Sequence, residues 1–375
     1  MPVLCPPSPP SPQQRKSDGT KHQDTKEKQR KQRKRTQKPF LHIEGRLKQS
    51  SSIRHDTVAS VLSSFIRDSY SCLIVGSTVC EWSQVSLLAT HLDQVRVGEC
   101  SLTSVQESSV VRLQHVHLRV HIYQPVDTDD ELFNANDDDD NQDSSVLAAS
   151  VTELPNVRNE GVWDTLIYQD AIKEQLLNYI YTTVLFSEAA VDSNLISWNR
   201  LVLLHGPPGT GKTSLCRALA QKLSIRLSHR YTHGKLVEIN SHSLFSKWFS
   251  ESGKLVQRLF SRVNELVQDE QAFVVILIDE VESLTAARMG AASGNEPSDA
   301  LRVVNALLTQ LDKLKTLPNT LVLTTSNLSE SIDPAFVDRA DIKHYIGLPA
   351  SQAIYSILQS CLEELCNKGI ISPCV

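Results

Sequence analysis

Four short apolar runs punctuate the second half of the chain: Leu201-Val202-Leu203-Leu204, Leu236-Val237-Glu238-Ile239, Ala272 to Ile278, and Thr320-Leu321-Val322-Leu323. Near-continuous runs of this kind mark strands buried on both faces. The stretches between them space their apolar residues as helices do, at Ser214 to Ala220, Leu255 to Val267 and Ala300 to Leu314. Another helical pattern, Ala171 to Leu177, comes before the first run. Strands alternating with helices predict an α/β unit, a parallel sheet with helices on both faces. Such a sheet binds its ligands at the carboxyl ends of its strands.

The first half reads differently. Val58, Val61, Leu62, Phe65 and Ile66 have helical periodicity after Asp56, a candidate cap. Ser71 to Val75 predicts a strand ending at Gly76, and Val111-Arg112-Leu113 through Val120 to Tyr123 alternates as a half-buried strand does. Residues 40–125 therefore predict a small α+β domain. His115, His117 and His121 share strand spacing, but no cysteine or carboxylate completes a metal site, so they read as a solvent face.

Charge changes the picture at two places. Residues 1–39 are prolines followed by a basic run that cannot bury enough apolar surface to fold. Within it, Arg30 to Arg35 suits a nuclear import signal or a nucleic-acid contact. Residues 126–153 read as an acidic linker, because Asp137 to Asp140 repel one another and stay solvated. The net charge of −5 implies no polyanion partner by itself. The 8 cysteines include no Cys-x-x-Cys pair, which argues against zinc and against a secreted disulfide scaffold. No apolar run is long enough to span a membrane, and the chain reads as nuclear or cytosolic.

The chemistry sits at the ends of the predicted strands. Gly206-Pro207-Pro208-Gly209-Thr210-Gly211-Lys212-Thr213 follows the first run and opens a helix. Glycines let backbone N–H groups converge on a phosphate, and the helix N-terminus adds positive potential. Lys212 then reaches the β- and γ-phosphates of ATP, and the Thr213 hydroxyl holds Mg²⁺. Asp279 and Glu280 end the third run, where paired carboxylates are costly without a cation. Asp279 suits Mg²⁺, and Glu280 suits an attacking water. Asn327 ends the next strand and can bridge that water and the γ-phosphate. Arg339 can reach a neighbouring subunit's site and neutralise transition-state charge. Trp248-Phe249 is an aromatic pair between Lys247 and Ser250, which suits contact with a partner.

Together these motifs resemble the AAA+ ATPases. Ser241 to Lys254, Ile278 to Arg288 and Phe336 to Lys343 resemble the pachytene checkpoint branch, also called thyroid receptor-interacting protein. The resemblance implies an AAA+ ATPase core at residues 154–349 and a substrate- or adaptor-binding domain at residues 40–125. It also implies hexamers with Trp248 and Phe249 on a pore loop. The implied substrates are HORMA-domain proteins, some presented by a HORMA adaptor and converted from closed to open forms. The implied setting is meiotic recombination, synapsis and spindle checkpoint silencing, in the nucleus on chromosomes and also in the cytoplasm. Membrane partners are not expected, and nucleic acid only through the basic tail. The family adds a helical lid over the nucleotide, with the base pocket near Ile167 and Tyr168. Residues 350–375 match only the start of that lid, so weak hydrolysis and poor assembly are expected. The alternative reading is a shortened, poorly hydrolysing form that binds nucleotide and substrate. A clamp-loader-like DNA motor would favour a basic loop in place of Trp248-Phe249.

Overall fold

The four apolar runs lie inside one seven-stranded sheet. The computed structural model describes residues 38–101, 109–134, 147–168, 171–189, 191–192, 195–196, 198–241, 252–283, 298–328, 332 and 334–372. In chain order the strands are β1 (Phe40–Leu47), β2 (Cys72–Ile74), β3 (Leu92–Cys100), β4 (Val110–Arg112), β5 (His117–Tyr123), β6 (Glu131–Asn134), β7 (Leu147–Leu154), β8 (Leu201–His205), β9 (His233–Asn240), β10 (Ala272–Asp279), β11 (Thr320–Ser326) and β12 (Ile342–Tyr345). The helices are α1 (His55–Ser69), α2 (Ser86–His91), α3 (Val162–Thr165), α4 (Ile172–Glu188), α5 (Lys212–Arg226), α6 (Ser252–Val267), α7 (Ser298–Leu314), α8 (Pro334–Val337) and α9 (Ser351–Asn367).

The large sheet runs β12-β8-β11-β10-β9-β7-β6. Its first five strands are mutually parallel, as the alternation of strands and helices predicts. Successive residues of one strand feed opposite cores. Leu201 and Leu203 of β8 pack with Phe260 of α6 and Leu307 of α7, whereas Val202 and Leu204 pack with Leu176 of α4 and Leu219 of α5. Two covered faces explain why these strands read as unbroken apolar runs. β8 lies between β11 and β12, so the strand order reverses there and a crevice opens at its carboxyl end.

The other end of the sheet corrects the linker expectation. β6 and β7, inside residues 126–153, pair antiparallel with each other, and β7 pairs antiparallel with β9. Val151 and Ala149 of β7 reach the buried core, and that apolar burial outweighs the nearby negative charge. Asp137 to Asp140 lie outside the described residues, as do residues 1–37 of the basic tail and Trp248-Phe249.

The N-terminal domain is α+β, with a sheet ordered β3-β1-β5 against α1. Val58, Leu62 and Ile66 of α1 meet Leu41 and Ile43 of β1 in its core. Three local expectations change. Asp56 lies in the first turn of α1 and makes no cap, because Arg54 occupies the cap position. The alternating segment is broken at Leu113–His115 into β4 and β5. His115 and His117 are exposed, but His121 is buried and lies 3.0 Å from the His42 ring, stacked against it. The solvent-face reading fails for His121 because this face of β1 and β5 is covered by the neighbouring domain.

That covering is a seam of buried charge. Lys222 of α5 contacts Glu44 of β1 at 2.9 Å and Glu99 of β3 at 3.1 Å. Arg226, one helical turn further on, contacts Glu44 at 2.9 Å and also pairs with Glu99. Trp163 Nε1 donates to Glu99 at 2.9 Å. Gln221 closes a two-way link with the Asn156 backbone, accepting at 2.8 Å and donating at 2.9 Å. Isolated buried ions are costly, so each of these charges depends on its partners across the seam.

Candidate active site

The loop after β8 needs its glycines. Gly206 has φ 142°, and a Cβ there would stand 2.1 Å from the Ile346 carbonyl oxygen. Gly209 and Gly211 have φ 75° and 83°, in the left-handed region that glycine enters without penalty. The turn delivers Lys212 as the first residue of α5, so the helix N-terminus faces the crevice.

Lys212 is buried, and its Nζ donates to the Gly206 and Pro207 carbonyls at 2.9 and 2.7 Å. Burial pushes its pKa below the ordinary lysine value, against the opposing pull of Glu282 and Asp279. The acids of the chain therefore only partly compensate this cation, which suits it to a phosphate.

Thr213 Oγ1 donates to Asp279 at 3.0 Å to Oδ1 and 3.2 Å to Oδ2. Thr325 of β11 also donates its hydroxyl to Asp279 Oδ1. Three elements thus converge: the start of α5 and the ends of β10 and β11. Hydroxyl and carboxylate oxygens form a hard donor set that fits Mg²⁺, which keeps several waters and substrate phosphate oxygens for its other positions.

Glu280 follows at the rim, exposed, with φ 60°. That backbone costs a non-glycine residue roughly 1–2 kcal/mol. Its neighbours hold it: the Glu280 N–H donates to Thr325 Oγ1 at 3.3 Å, and its carbonyl accepts from Ser241 Oγ at 2.6 Å. Glu280 turns out of the strand while Asp279 stays within it, which separates the carboxylate expected to hold a metal from the one expected to orient water. Asn327 is half-buried, and its backbone N–H donates to Glu282 Oε1 at 3.1 Å.

Arg339 is not brought to this crevice. It forms a two-pronged ion pair with Asp312 of α7, at 3.0 and 2.9 Å, and donates to the Ala335 carbonyl at 2.6 Å. Its hydrogen bonds hold the Asp312 carboxyl below the usual range.

Beside the loop lies a cleft of about 290 Å³ lined by Ile167, Tyr168, Gly209, Ile346, Ala353 and Ile357. Tyr168 Oη donates to the Gly211 carbonyl at 3.4 Å, tying the cleft to the phosphate loop. Its apolar walls suit a nucleobase. Sequence reasoning assigned no role to Ser241, Glu282 or Thr325. Thr325 lies between the apolar run Thr320 to Leu323 and Asn327, and Glu282 follows the Asp-Glu pair. Proximity in sequence was the available signal, but their hydrogen-bond partners lie on other strands.

Comparison with known proteins agrees with this geometry. Residues 202–348 match the family model for the ATPase family associated with various cellular activities (AAA), and residues 36–128 match the TRIP13 N-terminal domain. The chain is 51% identical over 337 residues to a pachytene checkpoint protein 2 homolog of Danio rerio, covering 90% of this chain and 76% of the relative. The Homo sapiens homolog is 47% identical over 337 residues, with the same 90% and 76% coverage. The structure of C. elegans PCH-2 superposes with a TM-score of 0.70 at 37% identity, covering 88% of this chain and 79% of that one. With its nucleotide-site architecture and these relatives, the chain belongs to the pachytene checkpoint protein 2 family of AAA ATPases.

Proposed function

We propose that this ATPase binds ATP with Mg²⁺ in the crevice after β8 and uses hydrolysis to open closed HORMA-domain proteins. The observation that carries the nucleotide half is the convergence of Lys212, Thr213 and Asp279 where α5 begins and β10 ends. The loop N–H groups and the start of α5 hold the phosphates, and Lys212 offsets their charge. Thr213 and Asp279 would hold Mg²⁺, which supplies Lewis-acid charge neutralisation. Glu280 orients water and accepts its proton, and Asn327 holds that water against the γ-phosphate. Arg339 acts in this reading across a subunit boundary, in a hexamer, after leaving Asp312.

Family membership supports the HORMA half, with the N-terminal domain receiving substrate or a HORMA adaptor and Trp248 and Phe249 gripping it. The corresponding setting is meiotic recombination, synapsis and checkpoint silencing, in the nucleus and cytoplasm. The test is conversion of a purified closed HORMA protein, followed by NMR or ion-exchange separation of the two forms. ATP-dependent conversion that disappears in Lys212→Ala and Trp248→Ala is expected. Equal conversion with and without ATP would contradict the reading.

A further inference from the structure

The carboxylate of Glu282 ties the loop after β10 to the end of β11. Its Oε1 accepts from the Asn327 N–H at 3.1 Å, a charge-assisted bond to the backbone of the residue that faces the γ-phosphate in the proposed function. Its Oε2 is buried without a hydrogen-bond partner among the described residues. An orphaned carboxylate oxygen is costly, so packing that keeps it there has a use beyond filling space. One side chain from the loop after β10 therefore fixes the backbone of Asn327.

We infer that Glu282 is a positioning residue that sets Asn327 for recognition of the terminal phosphate. The inference rests on the nucleotide reading of the crevice. It follows from chain geometry: Asn327 sits where β11 ends, and backbone beyond a strand end has lost the ladder that fixes it. A carboxylate from the neighbouring strand's loop replaces that constraint. Small displacements matter here, because an amide shifted by about 1 Å loses much of its grip on its target.

The test compares Glu282→Gln with Glu282→Ala in the full chain. Glutamine keeps an acceptor for the Asn327 N–H, and alanine removes it. Affinities for a fluorescent non-hydrolysable ATP analogue and for fluorescent ADP, each with Mg²⁺, give a triphosphate-to-diphosphate preference. Single-turnover ATP hydrolysis gives the chemical step, and thermal unfolding checks the fold. Glu282→Ala should lower the preference about tenfold, the equivalent of one charge-assisted hydrogen bond. It should slow hydrolysis in parallel while leaving ADP affinity nearly unchanged. Glu282→Gln should stay within about threefold of the parent on both readouts. An unchanged preference in Glu282→Ala would overturn the inference, and so would equal losses in both variants, since charge and not the acceptor would then matter. If the parent binds neither nucleotide, the nucleotide reading itself falls. If the parent binds and Lys212→Ala does not, that reading stands whatever Glu282 does.

Discussion

Lys212 and Lys222 are both buried on α5, yet they sit in opposite environments. Burial lowers the Lys212 pKa, and Glu282 and Asp279 oppose it incompletely. Burial opposes the Lys222 charge as well, but Glu44 and Glu99 outweigh it and hold its pKa above the ordinary value. At the phosphate loop the chain leaves a cation with capacity for another anion. At the domain seam it supplies the anions itself. The difference separates a cation suited to a ligand from a cation that holds two domains together. Because one helix carries both, the N-terminal domain grips the same rod whose first residue lies at the crevice.

Four changes would break or sharpen this contrast. Glu280→Gln should have the largest effect, slowing hydrolysis about 10²- to 10⁴-fold, the range for a lost general base. ATP affinity should stay close to the parent value, since Glu280 is exposed at the rim. Parental turnover in a kinetic assay would remove Glu280 from its role. Lys222→Ala should come next. It leaves the Glu44–Glu99 pair one cation short in the seam, with Arg226 still in contact with both, and should cost about 3–5 kcal/mol in denaturant unfolding. The folded fraction should still bind nucleotide, and a loss below 1 kcal/mol would show the seam to be solvated.

Acid should loosen the same seam through His121. Burial, reinforced by His229, Arg119 and Lys222, pushes its pKa from 6.5 down to about 4. The unfolded chain therefore binds the proton first. The contribution is fully present above pH 6.5 and is lost as pH falls toward about 4. The loss is of order 3 kcal/mol. His121→Phe should flatten that part of the stability-against-pH curve, and an unchanged slope would assign the acid response elsewhere. Tyr168→Phe should have the smallest effect. Removing the long bond to Gly211 should weaken ATP affinity by at most about 1 kcal/mol by titration calorimetry.

The two regions also differ in how far the sequence discloses them. The candidate phosphate site is built from contiguous words, each at the end of an apolar run, because the parallel sheet places the carboxyl ends of β8, β11 and β10 side by side. Gly206 to Thr213, Asp279, Glu280 and Asn327 were legible for that reason. The seam was not. Glu44 and Lys222 are 178 positions apart, and no periodicity links them. On β1, His42 and Glu44 alternate with Leu41 and Ile43, a pattern identical to that of a strand with a wet face. Only the docked domain makes those polar residues internal. The β6–β7 hairpin was obscured similarly, since its acidic surroundings dominated the composition of a segment whose apolar residues are few. Glu282 was hidden because its importance lies in a bond to the backbone of Asn327, which leaves no side-chain signature.

The central claim is that Lys212, at the start of α5 and only partly compensated by the acids around it, is the cation that holds ATP. Calorimetric titration of ATP with Mg²⁺ into the parent, Lys212→Ala and Lys222→Ala tests it directly, each variant being scored per folded molecule. The account predicts binding by the parent and by Lys222→Ala, and no measurable heat with Lys212→Ala. Parental affinity in Lys212→Ala, or loss of binding confined to folded Lys222→Ala, would contradict it.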